Sequence, residues 1–85
     1  IPGDKAQALK QLNKMAEEVG ELGAEINDGE RYKAMLELGD VVVTCEIMAA
    51  NLETDLQECL QLAYDKIKSR KGKTINGTFV KESDL

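Results

Sequence analysis

Acidic side chains recur at helical spacing in two stretches of this chain. Glu18, Glu21 and Glu25 follow one another at intervals of three and four residues, and Glu37 and Asp40 are three residues apart. Residues at these intervals lie along one side of an α-helix, where like charges repel by roughly a few tenths of a kcal/mol per pair. A shared cation would remove that repulsion, so the spacing makes a metal site the first chemistry to consider.

Two carboxylate pairs on neighbouring helices can converge on one point. The chain contains no His, so the ligands would be oxygen atoms, which favour Mg²⁺, with Mn²⁺ as the alternative. The same absence excludes a His general base, a Ser-His-Asp triad and a His-containing di-iron site. The spacing alone leaves another explanation open, because acidic pairs of this kind also occur on ordinary solvated helix faces.

Two helices are predicted to carry these acids. Apolar residues at intervals of three and four indicate the first over residues 4–26, with Asp4 as its N-cap and Asn27-Asp28-Gly29 as its end. The second is predicted over residues 30–51. Its length and helical spacing outweigh the short β-branched run Val41-Val42-Val43. Asp40 directly precedes that run, so its carboxylate is expected to be partly buried, which is costly without a partner.

A third helix is predicted to begin at Thr54, because Gln57 three residues later would complete a capping box. Its apolar face continues to Ile67, and Gly72 is expected to end it. Beyond that point no helical period remains. Asn76-Gly77 is typical of a turn and Thr78-Phe79-Val80 of a short extended piece.

The length of 85 residues corresponds to one domain with a limited core. Residues 1–73 are predicted to form a helical domain and residues 74–85 an extended C-terminal tail. Short loops between helices make neighbouring helices antiparallel. The predicted fold class is therefore all-α, an antiparallel bundle of about three helices per chain that is completed by oligomerisation.

Basic residues are concentrated near the end of the third helix. The net charge is −5, yet residues 66–73 carry Lys and Arg and no acid. This segment suits a small anionic ligand that a cation bridges to the acids, although a solvated helix end that complements the helix dipole would look the same. Nucleic-acid binding is not expected, because it requires a broad basic face.

The remaining composition predicts a cytoplasmic protein. Cys45 and Cys59 match no zinc or CxxC spacing and are expected to be free, buried thiols in a reducing compartment. No apolar run approaches the length of a membrane span, and no signal-peptide pattern opens the chain. No membrane partner is therefore expected.

Two motifs carry a resemblance to a known family. Glu17-Glu18-Val19-Gly20-Glu21-Leu22, followed on the next helix by Glu37-Leu38-Gly39-Asp40, resembles the EExxE and ExxD signature of MazG-like nucleoside triphosphate pyrophosphohydrolases. These enzymes belong to the all-α NTP pyrophosphatase superfamily, and the similarity extends from about Ala8 to Gly72. It implies Mg²⁺-dependent hydrolysis of (deoxy)nucleoside triphosphates to the monophosphate and pyrophosphate.

The resemblance also implies roles for individual residues. It implies a catalytic role for Glu17, which would hold a second metal ion or orient a water molecule; a solvated residue or an intersubunit salt bridge is the alternative. The residues implied as metal ligands are Glu18, Glu21, Glu37 and Asp40. Those implied as contacts of the phosphates or the nucleotide are Lys66, Arg70, Lys73 and Thr44. For Thr44 a hydroxyl bonded to its own helix backbone is the alternative.

The implied partners are a nucleoside triphosphate and further copies of the chain, as a homodimer or homotetramer. Two other interpretations stay open. One is a phosphoribosyl-ATP pyrophosphatase or dUTPase-like enzyme of the same superfamily. The other is a non-catalytic helical interaction module, which would tolerate loss of the carboxylates.

Overall fold

A computed structural model describes residues 3–69 of the chain and the backbone of residues 72–75 and 78–81. Three helices come first in the chain, and they confirm the all-α prediction. Their bounds are α1 (Lys5–Asn27), α2 (Arg31–Asn51) and α3 (Leu56–Lys68). Within the described helices, none combines the length and the apolar character that a bilayer-crossing segment needs.

A small antiparallel hairpin follows the helices. Its strands are β1 (Gly72–Ile75) and β2 (Thr78–Lys81), with Gly72 opposite Lys81. The extended piece predicted at Thr78-Phe79-Val80 thus lies in β2. The predicted turn at Asn76-Gly77 lies outside the described residues. Strand β1 spans the predicted domain boundary between residues 73 and 74, and that boundary stays a prediction.

Helix α1 begins and ends where the sequence predicts. The Asp4 carboxylate accepts hydrogen bonds from the backbone N–H groups of Ala6 and Gln7, at 2.9 and 3.4 Å. At the other end Gly29 has φ = 73°, the left-handed conformation that glycine adopts without strain. The Glu30 N–H then donates to the Glu25 carbonyl at 3.0 Å, which closes the helix and turns the chain back.

Helix α2 ends in the same motif without a glycine. Glu53 has φ = 60°, and its N–H donates to the Ala50 carbonyl at 3.0 Å. The Thr54 N–H donates to the Ala49 carbonyl, also at 3.0 Å. A glutamate therefore occupies a left-handed position that usually belongs to glycine.

The predicted start of the third helix is wrong by one residue. The N-cap is Asp55, whose carboxylate accepts from the Glu58 N–H at 2.8 Å, and not Thr54. The reason is that the Thr54 hydroxyl is buried without a partner among the described residues, whereas Asp55 also offers its carbonyl to the Cys59 N–H at 3.2 Å. The helix also ends earlier than predicted, at Lys68, and Gly72 lies in β1 instead.

Helices α1 and α2 pack along each other as an antiparallel hairpin, while α3 touches α2 over a short stretch. Very little of the chain is buried: among residues 3–69 only Ala8, Thr44 and Ala49 are. The radius of gyration is 16.3 Å, against about 12 Å for a compact domain of this length. Both cysteines are free and half-buried.

Candidate metal centre

Three carboxylates meet in the seam between α1 and α2. Glu18 and Glu21 are one turn apart on α1, and Glu37 faces them from α2. One carboxylate oxygen of each residue lies within 4.8 Å of the others. The short turn after α1 makes the two helices antiparallel, and this brings acids from distant parts of the sequence together.

Two oxygens of this group have no partner. Glu18 and Glu37 are half-buried, and the Oε2 atom of each is inaccessible and accepts no hydrogen bond from the described residues. A buried carboxylate oxygen without a donor is costly. A cation bound between the helices would supply the missing partner to both.

The crowding of these acids is visible in the protonation of Glu37. The pKa of Glu37 is raised to about 7, and burial is the largest cause. A hydrogen bond with Glu21 and the negative charges of Glu21, Asp40 and then Glu18 account for the rest of the rise. Without a cation, this carboxyl group therefore holds its proton up to near-neutral pH.

Burial also raises the pKa of Glu18, and the charge of Glu21 and a hydrogen bond with it act in the same direction. Asp40 raises the pKa further through its charge, while a hydrogen bond with Glu37 opposes the rise. Burial and neighbouring negative charges thus raise the pKa of both half-buried carboxyl groups.

The other two predicted acids are placed differently. Asp40 is exposed, one turn beyond Glu37, and its expected partial burial is wrong for this chain. It lies outside the group of three, yet close enough for its charge to act on Glu18 and Glu37. Glu17 is exposed and also outside the group. Their roles as ligand and catalytic residue stay predictions.

Thr44 is 5% exposed, and its hydroxyl donates to the Val41 carbonyl at 2.6 Å. This is the backbone-bonded alternative considered for a helical threonine. Contact of Thr44 with a nucleotide stays a prediction.

Gln11, which the sequence analysis did not single out, joins α1 to α2 beside Thr44. The Gln11 Nε2 amide donates to the Thr44 carbonyl at 2.9 Å, in a partly buried position. Its sequence signal is its place on α1, seven residues before Glu18 on the same side of the helix.

The structure describes only part of the predicted phosphate-binding residues. Lys66 is exposed in the last turn of α3, on a different helix from the carboxylates. Arg70 lies outside the described residues. The backbone of Lys73 lies in β1, and its side chain is outside the described part. All three contacts stay predictions.

An apolar groove lies at the turn end of the α1–α2 hairpin, away from α3. Its volume is about 450 Å³. The apolar side chains that line it are Leu22, Ile26, Ala34, Met35 and Leu38. Several of these are at least half exposed in the single chain.

The donor set of the carboxylate group suits a hard divalent cation. The group contains only carboxylates, and carboxylate oxygens are the ligands that Mg²⁺ and Mn²⁺ prefer. The unpartnered Oε2 atoms of Glu18 and Glu37 are consistent with the same occupant. The site is open towards Glu21, which is exposed, so a ligand of the cation has access from solvent.

Comparison with family models gives a match over most of the chain. Residues 7–75 match the family model of the MazG nucleotide pyrophosphohydrolase domain, and this range contains all three carboxylates. Searches of curated proteins and of solved structures give no match. Since the matched range covers most of the chain, this chain belongs to the MazG nucleotide pyrophosphohydrolase family.

Proposed function

We propose that this chain hydrolyses (deoxy)nucleoside triphosphates to the monophosphate and pyrophosphate with the help of Mg²⁺. The observation that carries the proposal is the meeting of Glu18, Glu21 and Glu37 within 4.8 Å, inside a MazG nucleotide pyrophosphohydrolase domain. In the reaction a water molecule adds to phosphorus, the bond between the α- and β-phosphates breaks, and pyrophosphate leaves.

The MazG family is generally metal-dependent, and we propose Mg²⁺ here, with Mn²⁺ as a substitute. Glu18, Glu21 and Glu37 would hold the ion, with Asp40 as a fourth ligand. When bound, a divalent cation neutralises phosphate charge and acts as a Lewis acid at the phosphoryl group. Glu17, the first acid of the motif, orients the attacking water.

The basic residues act on the other end of the substrate. Lys66 and Arg70, with Lys73 as a weaker contributor, stabilise the negative charge that accumulates on the departing pyrophosphate. Thr44 is the proposed contact with the nucleotide. In this proposal the acidic side chains hold the metal ion, and the basic side chains contact the phosphates.

We further propose that the working form is a homodimer or homotetramer, in the cytoplasm. The single chain leaves large apolar side chains of both long helices about half exposed, including Leu9, Val19, Val43 and Ile47. So much exposed apolar surface is unusual for a monomer of this size. The molar mass, measured by light scattering after size-exclusion chromatography, tests this proposal. A monomer at micromolar concentration would overturn it.

The reaction is tested by measuring pyrophosphate release from a panel of NTPs and dNTPs, with and without Mg²⁺. We expect release that requires the metal and is abolished in Glu37→Gln and in Asp40→Asn. The helical content by circular dichroism should not change, because both substitutions keep the shape of the side chain.

Glu46→Gln is the matched control, since Glu46 is an exposed acid on the same helix as Glu37 and outside the carboxylate group. It should keep full activity. Release by the Glu37→Gln variant at the wild-type rate would overturn the assigned site. No release by the wild-type chain from any nucleotide would overturn the reaction.

A further inference from the structure

We propose that Gln11 is a positioning residue for the metal site, which sets the register of α1 against α2 so that Glu18 and Glu37 face each other. The inference rests on the proposed function, because it concerns the same carboxylates. It starts from the hydrogen bond of 2.9 Å between the Gln11 Nε2 amide and the Thr44 carbonyl. Within residues 3–69, it is the hydrogen bond between two helices that involves none of the three carboxylates.

The placement of this bond is matched to the carboxylate pair. Gln11 precedes Glu18 by seven residues on α1, and Thr44 follows Glu37 by seven residues on α2. Seven residues are about two helical turns, or about 10 Å along the axis. Because the helices are antiparallel, the amide bond and the carboxylate pair occupy the same seam at two levels.

The carboxylates set this register poorly by themselves, because like-charge repulsion opposes the hydrogen bonds of Glu37 with Glu18 and Glu21. Before a cation binds, the interactions among Glu18, Glu21 and Glu37 include like-charge repulsion. The residues buried near the seam, Ala8 and Ala49, are small, so apolar packing specifies the register weakly. A directional bond from a half-buried amide to a backbone carbonyl is tied to one alignment of the two helices.

Loss of the Gln11 amide should therefore weaken metal binding, although no proposed metal ligand is changed. Gln11→Met keeps the length of the side chain and removes the donor. Gln11→Glu places an acceptor against the Thr44 carbonyl, which is worse than no donor. Gln11→Asn keeps an amide but is one methylene shorter, so it provides a mild variant if the others fold poorly.

The experiment measures the dissociation constant for Mn²⁺ alone, from the electron paramagnetic resonance signal of the free ion. We expect Gln11→Met to raise that constant about fivefold, the factor expected for one net hydrogen bond. Gln11→Glu should raise it further, and Gln11→Asn should raise it less than Gln11→Met. If Gln11 acted through packing alone, the Mn²⁺ dissociation constants of Gln11→Met and Gln11→Glu would not follow this order, because both side chains keep the length of Gln11.

Two controls separate positioning from general stability. Gln7→Met makes the same change on the same helix at an exposed position, and it should leave the Mn²⁺ constant unchanged. Asp55→Ala removes the cap of α3 and destabilises the fold elsewhere, and it should also leave the constant unchanged.

The outcomes distinguish this proposal from the proposed function. If the wild-type chain binds Mn²⁺ and Gln11→Met binds it equally well, the positioning role is wrong and the metal site stands. If Asp55→Ala weakens binding as much as Gln11→Met, the effect is one of stability and the positioning role is also wrong. If the wild-type chain binds no Mn²⁺, the metal site and the role of Gln11 fail together.

Discussion

The carboxylates of Glu18 and Glu37 approach each other across the seam between two helices, and each has an inaccessible Oε2 atom that accepts no hydrogen bond from the described residues. Two acids in such a position are costly when ionised and unpaired. Without a cation the two carboxylates are therefore unfavourably placed, and a cation bound between them would stabilise the folded chain. Local instability of this kind is common where a protein is organised for function.

Metal binding should tighten as the pH rises towards neutrality. A carboxyl group has to lose its proton before it ligates a metal, and the pKa of Glu37 is raised to about 7. Below that pH, we expect the dissociation constant for Mn²⁺ to increase by up to about tenfold per pH unit. Calorimetry from about pH 5.5 to 8.5 in buffers of different ionisation enthalpy would also detect the released proton. A dissociation constant that does not change with pH would contradict the raised pKa.

The metal-free protein should lose stability as the pH rises from about 4.5 to 7. In this window the folded chain keeps a proton on Glu37 that the unfolded chain has released, because the pKa is near 4.5 only after unfolding. The folded state binds more protons, so the free energy of unfolding falls with increasing pH. Urea titrations in the presence of a chelator measure this slope.

Glu37→Gln serves as the control for that slope. It removes the ionisable group, so the fall attributed to Glu37 should disappear, and the variant should be more stable than wild type above pH 7 when no metal is present. The residual slope would come from Glu18, whose pKa is raised for related reasons. A wild-type slope equal to that of the variant would show that Glu37 is not the group responsible.

The start of α3 gives a prediction that separates two neighbouring residues. Asp55→Ala removes the acceptor of the Glu58 N–H and should cost about 1 kcal/mol of stability. Thr54→Val should be neutral or slightly stabilising, because the Thr54 hydroxyl is buried without a hydrogen-bond partner among the described residues. Thermal unfolding of both variants decides the matter. A larger loss from Thr54→Val would restore Thr54 as the cap.

The end of α2 should be improved by a glycine. Glu53 occupies a left-handed conformation at φ = 60°, and replacing a side chain there by Gly should gain about 1 kcal/mol. Gly29→Ala makes the opposite change at the equivalent position of α1, where φ = 73°, and should lose a similar amount. Chemical denaturation provides both values. A destabilised Glu53→Gly variant would mean that the glutamate side chain makes a compensating contact.

Much of the helical framework could be predicted because local signals agree with one another. Asp4 is a strong cap in front of an apolar repeat, and Asn27-Asp28-Gly29 ends that repeat. The same signals predict that acids of the first two helices can converge, since a short turn makes the pair antiparallel, while the register decides that Glu18, Glu21 and Glu37 are the three that meet.

Other features depend on competition between neighbouring parts of the chain. Thr54 and Asp55 are both good helix caps, and the turn that ends α2 leaves the Thr54 hydroxyl buried without a partner among the described residues, while the Asp55 carboxylate reaches the Glu58 N–H. The bond from Gln11 to the Thr44 carbonyl depends on the register of two helices, which side-chain periodicity does not specify to within one turn. The exposure of Asp40 likewise depends on what packs beside α2.

The connection between α1 and α2 is only three residues long, from Asp28 to Glu30. Its hydrogen bonds close one helix and aim the next, so its length fixes which side chains meet further along both helices. A single residue inserted in the first turn of α2, just after this connection, would rotate Glu37 by about 100° around the helix axis relative to the turn. A small change in gene length there would dismantle the carboxylate group while every acid remained in the sequence.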